Sequence, residues 1–264
     1  MSRPRCLPAT ISKIRDLKND YYAITAGPFA PARSCRPGQF VHVLLPGTQI
    51  YFRRAFSIAA VDNQDKSIEL IFKAIGQGTR SMSRLRKGDS IDILGPLGRP
   101  FGLPRKKDRT VIVAGGVGFP PLLFLATEMV RRGYDPEQVE FFYGGRRAHD
   151  LIECRRIKKL GVRFHPTTQD GSLGQRGLVT KPLVQLLDQH EGSPIRLYAC
   201  GPEPMLKAVN NIGVERGLPG QLALEAPMPC GIGICLGCVV PLANGGHARV
   251  CCDGPVFNIG EVLL

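Results

Sequence analysis

Short apolar stretches that alternate with polar positions and end at turn-forming residues run through the N-terminal third of the chain. Successive side chains of a strand point to opposite faces, so stretches of this length and spacing are typical of strands. Six short strands at regular spacing predict an antiparallel barrel. The stretches are residues 9–14, 21–25, 40–45, 56–60, 68–73 and 90–94. We therefore predict an antiparallel β-barrel over residues 1–104.

The pattern changes between residues 105 and 220, where strand-like and helical segments alternate. Residues 107–126 contain an apolar strand, a glycine turn and a helix, with Pro120 or Pro121 suited to the first helical turn. Alternation of this kind predicts a doubly wound parallel sheet, with ligands at the carboxyl ends of its strands. The further predicted strands are 139–145, 162–165 and 195–200, and the predicted helices are 121–133, 151–160, 178–189 and 203–216.

Cysteines dominate the remaining segment, 221–264, which we predict to be a small separate domain. Their spacing, C-x4-C-x2-C followed by a distal cysteine, is the layout that holds a [2Fe–2S] cluster in plant-type ferredoxins. The intervening glycines suit a loop that curls around sulfide, because glycine adopts positive φ freely. A zinc site, a disulfide pair or buried free thiols remain alternatives, although zinc favours paired C-x2-C motifs or histidines.

Charge and cysteine content narrow the possible partners. The formal net charge is +13, but the basic residues are dispersed and tryptophan is absent, so we expect no nucleic-acid partner. The nine cysteines with no apolar segment after Met1–Cys6 indicate a reducing compartment and no signal peptide. Glycines and prolines interrupt the uncharged run 111–127, so we expect no membrane span and a cytoplasmic protein.

Two segments of the predicted barrel are candidates for ligand binding. Residues 53–57 place arginines, an aromatic ring and a hydroxyl at the start of one strand, and residues 75–79 form a glycine-containing turn before a short helix expected over 81–85. Backbone N–H groups at such a turn can bind phosphate. Each segment alone is also compatible with a surface strand or a plain strand–helix turn. Together they suggest a phosphate-bearing ligand against the barrel.

The segments Arg54–Ser57 and Gly76–Thr79 resemble the FAD-binding pattern of the ferredoxin reductase superfamily. The resemblance implies that Arg54 pairs with the pyrophosphate, and that Phe56 and Ser57 contact the isoalloxazine and ribityl region. Ala55 stands where proline is common in that pattern. The other residues implied to contact FAD are Ile71, Phe72, Lys73, Gly78 and Thr79.

The same superfamily uses a G-G-x-G turn and a Cys-Gly-Pro turn for its nicotinamide cofactor, and both occur in this chain. The usual G-x-G-x-x-G fingerprint is absent. Arg146 and Arg147 could grip the 2′-phosphate of NADP or simply be solvated, and we favour NAD. A small buried residue at a strand end is an alternative role for Cys200. The implied NAD-binding residues are Gly115, Gly116, Gly118, Cys200, Gly201 and Pro202.

Leu224–Glu225, Met228, the cysteine loop and the stretch 250–257 together resemble the electron-transfer subunit of class 1B dihydroorotate dehydrogenase over essentially the whole chain. The resemblance implies the cluster ligands Cys230, Cys235, Cys238 and Cys251, with no ligand role for Cys252. It also implies a separate FMN-containing catalytic subunit, in a heterotetramer of two of each chain. Electrons would pass from FMN through [2Fe–2S] and FAD to NAD+, with no acid–base residue in this chain and no oxidation of dihydroorotate by it alone.

Two rival functions remain at this point. One is a flavin–iron–sulfur subunit of an NAD(P)H-linked hydrogenase or ferredoxin:NADP oxidoreductase, which shares the three-domain order. The other is a zinc-binding interaction protein that uses the basic surface as its interface. Bound flavin and cluster would colour the protein, whereas zinc would not.

Overall fold

The computed structural model describes residues 4–45, 49 and 51–264. Residues 1–3, which begin the N-terminal segment considered above for a signal peptide, lie outside this range. Within the described residues no helix is both long enough and apolar enough to cross a membrane.

The first six strands close into an antiparallel barrel in the order β1-β2-β5-β4-β3-β6, which confirms the predicted architecture. Alternating side chains fill its interior, where Ile11, Ile24, Ile58 and Leu70 are fully buried. The strands are β1 (Arg5–Lys18), β2 (Tyr21–Gly27), β3 (Phe40–Leu44), β4 (Arg54–Asp62), β5 (Ser67–Lys73) and β6 (Ser90–Leu97).

One prediction within the barrel region was wrong. The helix expected over 81–85 is α1 (Gln77–Ser83), which begins four residues earlier. Its start is fixed by the Thr79 hydroxyl, which accepts hydrogen bonds from the N–H groups of Ile75 (3.0 Å) and Gly76 (3.1 Å). Capping of this kind satisfies N–H groups that have no partner within the helix. Gly78 and Thr79 therefore lie inside the first turn of α1 rather than before it.

The second sheet has seven strands in the order β10-β9-β8-β7-β11-β12-β15. All its neighbouring pairs are parallel except β12 with β15. Its strands are β7 (Arg109–Gly115), β8 (Val139–Gly145), β9 (Arg163–Thr168), β10 (Gln175–Arg176), β11 (Ile195–Cys200), β12 (Gly220–Ala223) and β15 (Val256–Asn258), and a separate hairpin contains β13 (Val239–Pro241) and β14 (His247–Arg249).

Helices cover both faces of this sheet, as the doubly wound prediction requires. Leu122 and Ile157 pack on one face, and Leu183 and Leu206 pack on the other. The helix expected over 151–160 is shorter, because Leu151 follows a 3-10 turn and Glu153 has a φ of 56°. The remaining helices are α2 (Phe119–Arg131), α3 (Cys154–Lys159), α4 (Thr180–Gln189) and α5 (Glu203–Glu215), and the 3-10 helices are Ala30–Ser34, Gly116–Gly118, Pro136–Gln138 and Ala148–Asp150.

The hydrophobic cores extend across the three predicted segments. Tyr21 and Ile71 of the barrel belong to the same core as Phe119 and Tyr143. A second core joins the other face of the parallel sheet to the cysteine segment, including Cys238 and Cys251. Strand β15 adds to this connection, since it pairs with β12 from Gln221–Asn258 to Ala223–Val256. The domain boundaries at 104 and 220 remain a prediction.

Candidate redox site

A cleft of about 300 Å³ lies where the barrel, the parallel sheet and the segment before the cysteines meet. It brings together residues that are far apart in the sequence. Of the residues predicted for FAD, those that line the cleft are Ala55, Phe56, Ser57, Ile71, Phe72, Lys73 and Thr79. Cys200, predicted for the nicotinamide, lines the same cleft, as do Leu224, Glu225, Ala226 and Met228.

Strands β4 and β5 supply the barrel side of this cleft. Phe56 and Phe72 are almost fully buried and their ring centroids are 5.5 Å apart. Lys73 is held at the end of β5, because its Nζ lies 4.7 Å from the centre of the Tyr21 ring and 3.7 Å from Asp150 Oδ1. The wall is therefore well packed and mostly apolar, with one cation at its edge.

Arg54 and Gly78 do not line the cleft but lie next to each other beside it. A Cβ at position 78 would come within 3.0 Å of Arg54 Nε, so glycine leaves space for the guanidinium over the first turn of α1. Arg54 Nη1 also donates to the Phe52 carbonyl at 2.6 Å. The arginine is exposed and positioned, which suits a phosphate ligand.

The two turns predicted for the nicotinamide contact each other at the carboxyl ends of β7 and β11. A Cβ at Gly118 would lie 2.4–2.5 Å from backbone atoms of Cys200 and Gly201. A Cβ at Gly115 would lie 2.9 Å from Pro202 Cδ. The glycines thus permit close packing of the two turns, while Gly116 has a φ of 51° and open space beside it.

Two ionisable groups in the cleft have shifted pKa values. Burial raises the pKa of the Cys200 thiol well above its usual range, and the nearby Glu225 charge raises it further, so the thiol stays protonated. Burial also raises the pKa of Glu225, although part of this side chain is reached by solvent. Both pKa shifts fit ionisable groups inside a concave cleft, where surrounding protein displaces much of the water.

The cysteine loop begins at Cys230, directly after the cleft-lining segment that ends at Met228. Among the described residues, no group of three or more His, Cys, Asp or Glu side chains converges on the geometry of a single metal ion. The thiols instead form two close groups: Cys230 contacts Cys235, and Cys251 contacts both Cys238 and the adjacent Cys252. Two pairs of thiolates are the ligand set that two irons require in a [2Fe–2S] cluster.

Backbone N–H groups point at the sulfurs of this loop. Ile232 N lies 3.5 Å from Cys230 Sγ, Gly237 N lies 3.5 Å from Cys235 Sγ, and Cys251 N lies 3.4 Å from Cys238 Sγ. Burial raises the pKa of Cys230, but hydrogen bonds from Cys235, Ile232 and Ile234 outweigh burial and lower it to about 6. Donors of this kind stabilise thiolates and tune bound clusters, so the loop fits the group.

Gly231 and Gly233 need their glycine character for two reasons. Their φ values are 70° and 80°, in the left-handed region. A Cβ at Gly233 would lie 2.8 Å from Cys252 Sγ, and a Cβ at Gly231 would lie 2.7–2.8 Å from three ring atoms of His42. Arg249, paired with Asp253 at 3.0 Å, also donates to the Gly233 carbonyl at 3.4 Å. The loop is thus supported by the barrel and by the second cysteine segment.

The sequence reasoning assigned no role to several residues of this region. Phe40 and Glu225 line the cleft, and His42 lies under the cysteine loop. The signal for Glu225 was its place in the stretch used for the family resemblance. His42 gave no signal of its own, because a polar residue in an apolar strand is usually read as an outward-facing position.

Comparison with known proteins was consistent with this geometry. The sequence profile of the iron–sulfur cluster binding domain of dihydroorotate dehydrogenase B matches residues 225–263. The oxidoreductase NAD-binding domain matches residues 112–211, and the oxidoreductase FAD-binding domain matches residues 32–101. Sites for all three cofactors predicted from the sequence are therefore represented in the chain.

Relatives that match this chain over nearly its full length are named for the same enzyme as the iron–sulfur profile. The chain is 35% identical over 261 residues to the electron transfer subunit of dihydroorotate dehydrogenase B (NAD(+)) of Shouchella clausii, covering 97% of both chains. It is 36% identical over 260 residues to the protein of the same name from Geobacillus thermodenitrificans, again covering 97% of both. A solved structure of an NADH-dependent reduced ferredoxin–NADP oxidoreductase is also similar, with a TM-score of 0.85, 27% identity, and coverage of 97% of this chain and 89% of that one. The chain belongs to the family of dihydroorotate dehydrogenase B electron transfer subunits.

Proposed function

We propose that this chain is the electron-transfer subunit of an NAD-linked dihydroorotate dehydrogenase, carrying electrons from a catalytic subunit's FMN by way of [2Fe–2S] and FAD to NAD+. One observation carries the proposal. A single cleft is lined by residues of β4 and β5 that are predicted to bind FAD and by Cys200 of the turn predicted to bind the nicotinamide. It is also lined by Leu224, Glu225, Ala226 and Met228, which precede the first cysteine of the loop in the sequence. Three redox groups bound at these places would be neighbours.

The barrel residues would hold FAD. Arg54 supplies a positioned cation for its pyrophosphate. The cleft wall formed by Phe56, Ile71 and Phe72 supplies an apolar surface for its ring. Gly118 and the Cys200–Pro202 turn would receive the nicotinamide on the other side of the cleft. When bound, FAD supplies the conversion between one-electron and two-electron transfer that a cluster and a nicotinamide together require.

Four cysteines would hold the cluster: Cys230 and Cys235 as one pair, Cys238 and Cys251 as the other. The N–H groups directed at three of these sulfurs support the assignment. Cys251 is only 1% exposed and contacts Cys238, whereas Cys252 points toward Gly233. These surroundings favour Cys251 over Cys252 as the fourth ligand.

The catalytic subunit would dock on the outer side of the cysteine loop. Three apolar side chains there are exposed, Ile232 by 46%, Ile234 by 75% and Leu236 by 61%. Apolar residues grouped on one exposed loop suit a protein interface. A partner seated on them would bring its FMN near the cluster, in an assembly that we propose contains two copies of each subunit.

The decisive experiment is co-expression with an FMN-containing dihydroorotate dehydrogenase subunit, followed by assay of dihydroorotate-dependent NAD+ reduction. We expect the complex to reduce NAD+, and this chain alone to pass electrons only from NADH to a dye. A visible spectrum lacking flavin and cluster bands would instead support the zinc-binding alternative. Failure of a fully loaded complex to reduce NAD+ would contradict the proposal.

A second function has one observation in its favour, the similarity to the NADH-dependent reduced ferredoxin–NADP oxidoreductase. Reduction of NADP+ by reduced ferredoxin, without any dihydroorotate-oxidising partner, would support that alternative. The 35–36% identity over nearly full length to the dihydroorotate dehydrogenase B subunits favours the first function.

A further inference from the structure

His42 occupies an unusual place between the barrel and the cysteine loop. It lies in the middle of β3 and is 0% exposed. Its neighbours Val41 and Val43 belong to the barrel core, whereas Phe40 belongs to the core that contains Cys238 and Cys251. Because side chains alternate along a strand, His42 shares the Phe40 face and is covered by the cysteine segment.

The ring of His42 makes no hydrogen bond within the described part of the chain. Both Nδ1 and Nε2 are buried and lack a partner there. Burial, and then the positive charge of Arg53, lower the pKa of His42 to about 4, so the ring is neutral and carries one N–H donor. Leaving a buried donor without a partner is unfavourable, because the group has lost its hydrogen bonds to water and gained none in the protein. A buried imidazole in this state is expected to have an acceptor when the protein is loaded with its cofactors.

The nearest loop residue is Gly231, which follows Cys230. A Cβ at Gly231 would lie 2.7 Å from His42 Cε1 and 2.8 Å from each ring nitrogen, so the glycine packs against the face of the imidazole. The next residue, Ile232, donates its N–H to Cys230 Sγ at 3.5 Å. The histidine therefore supports the turn whose backbone donates to the first cysteine.

The same histidine also adjoins the flavin cleft. Its ring centroid lies 5.7 Å from that of Phe40, which lines the cleft, and in the barrel His42 is directly paired with Ala55 of β4. Phe40, His42 and Gly231 thus form a continuous packed connection between the cleft and the cysteine loop.

We propose that His42 is a positioning residue of the iron–sulfur site, which supports Gly231 with its ring face and donates its N–H to the sulfur atoms of the bound cluster or its ligands, and thereby raises the reduction potential of the cluster. Hydrogen bonds to cluster sulfurs stabilise the more negative, reduced state. The inference rests on the proposed ligand loop 230–238 and adds a specific residue that tunes it.

The test is a redox titration of the purified full chain, loaded with FAD and cluster and followed by EPR. His42→Phe keeps a ring of similar size without a donor, and His42→Gln keeps an N–H. Leu94→Val is the matched control, since Leu94 pairs with His42 across β3 and β6 but has no polar atom. We expect a lower cluster potential and altered g values in His42→Phe, values near wild type in His42→Gln, and no change in Leu94→Val.

A second measurement does not depend on the stability of the phenylalanine variant. In wild-type protein with ¹⁵N-labelled histidine, pulsed EPR of the reduced cluster should show a weak coupling to histidine nitrogen that is lost in labelled His42→Gln. Equal shifts in His42→Phe and His42→Gln, a wild-type potential in a fully loaded His42→Phe, or no nitrogen coupling would each overturn the inference. If wild-type protein contains no iron and sulfide at all, it is the proposed function that fails.

Discussion

The adjacent thiols of Cys251 and Cys252 have different surroundings, although the sequence leaves either free to act as a ligand. Their sulfurs are 3.6 Å apart. Burial raises the pKa of Cys251, and contacts with the Cys238 and Cys252 thiols raise it further, which is the effect of packing thiols together without a metal. A bound cation would reverse that effect, because a coordinating thiol is deprotonated.

We expect Cys251→Ser to abolish the cluster and its matched control Cys252→Ser to retain it. The reason is that Cys251 belongs to the Cys238 pair, whereas Cys252 lies against Gly233. Iron and acid-labile sulfide per polypeptide, measured beside FAD content, would check this. The assignment is wrong if Cys252→Ser loses the cluster while Cys251→Ser keeps it.

Which side chains meet across the fold could not be predicted at the residue scale. The spacing of the cysteines and the Arg54–Ser57 segment have local signatures, so their candidates were available from the sequence. His42 and Phe40 have none, because their importance comes from contacts with residues almost two hundred positions away. Burial of an imidazole is a tertiary property that a strand's alternating pattern does not encode.

At the scale of elements, hydrophobic periodicity identified the six barrel strands and the main strands of the parallel sheet. It placed the start of α1 too late, since the capping hydroxyl belongs to a threonine inside the first turn rather than before it. It also missed the pairing of β15 with β12. A three-residue strand has too few positions to show a period, and its partner lies more than thirty residues earlier.

The glycine turn after β7 packs against the Cys200–Pro202 turn. A substitution at Gly118 tests whether this contact is needed. Gly118→Ala should separate the two turns, because a Cβ would overlap backbone atoms that cannot rotate away. We expect at least a tenfold loss in the efficiency of NADH-driven FAD reduction, equivalent to about 1.4 kcal/mol. Stopped-flow measurement of flavin bleaching over a range of NADH concentrations would check this.

Gly102→Ala is the matched control for this substitution. Its new Cβ would meet only Gln221 at 3.6 Å, an ordinary van der Waals distance. The control should keep wild-type kinetics. Unchanged flavin reduction in Gly118→Ala would show that the two turns need not be in close contact.

At the scale of the whole molecule, four charged side chains join the barrel to the parallel-sheet segment. Arg15 lies 2.8 Å from both Glu69 and Glu153, and Arg156 lies 2.7 Å from Glu69 and 3.3 Å from Glu153. Charges alternate around this ring, and the two glutamates are mostly buried. The ring spans the boundary between the barrel and the parallel-sheet segment, so it helps to fix one relative to the other.

Removal of Arg15 should therefore weaken the whole fold. We expect Arg15→Gln to lower the free energy of unfolding by about 1–2 kcal/mol, because two mostly buried carboxylates lose a charged partner while the arginine itself is about a third exposed. Urea denaturation of the loaded protein would measure the change. Arg131→Gln is the control, since the Arg131 side chain is 64% exposed and Glu128 keeps Arg132 as a second partner, so this pair should contribute less than about 0.5 kcal/mol. Equal effects of the two substitutions would contradict a role for the ring in joining the two parts.

Strand β15 joins the iron–sulfur segment to the seven-stranded sheet by backbone hydrogen bonds with β12. The segment leaves the sheet after β12 and returns to it as β15, so it contributes the outermost strand beside β12. An exchange of residues 225–264 between relatives would replace one half of a hydrogen-bonded pair and leave the other half behind. Transplanting this segment as a redox cassette therefore requires β12 to travel with it, and the natural unit of exchange begins at Gly220 rather than at the first cysteine.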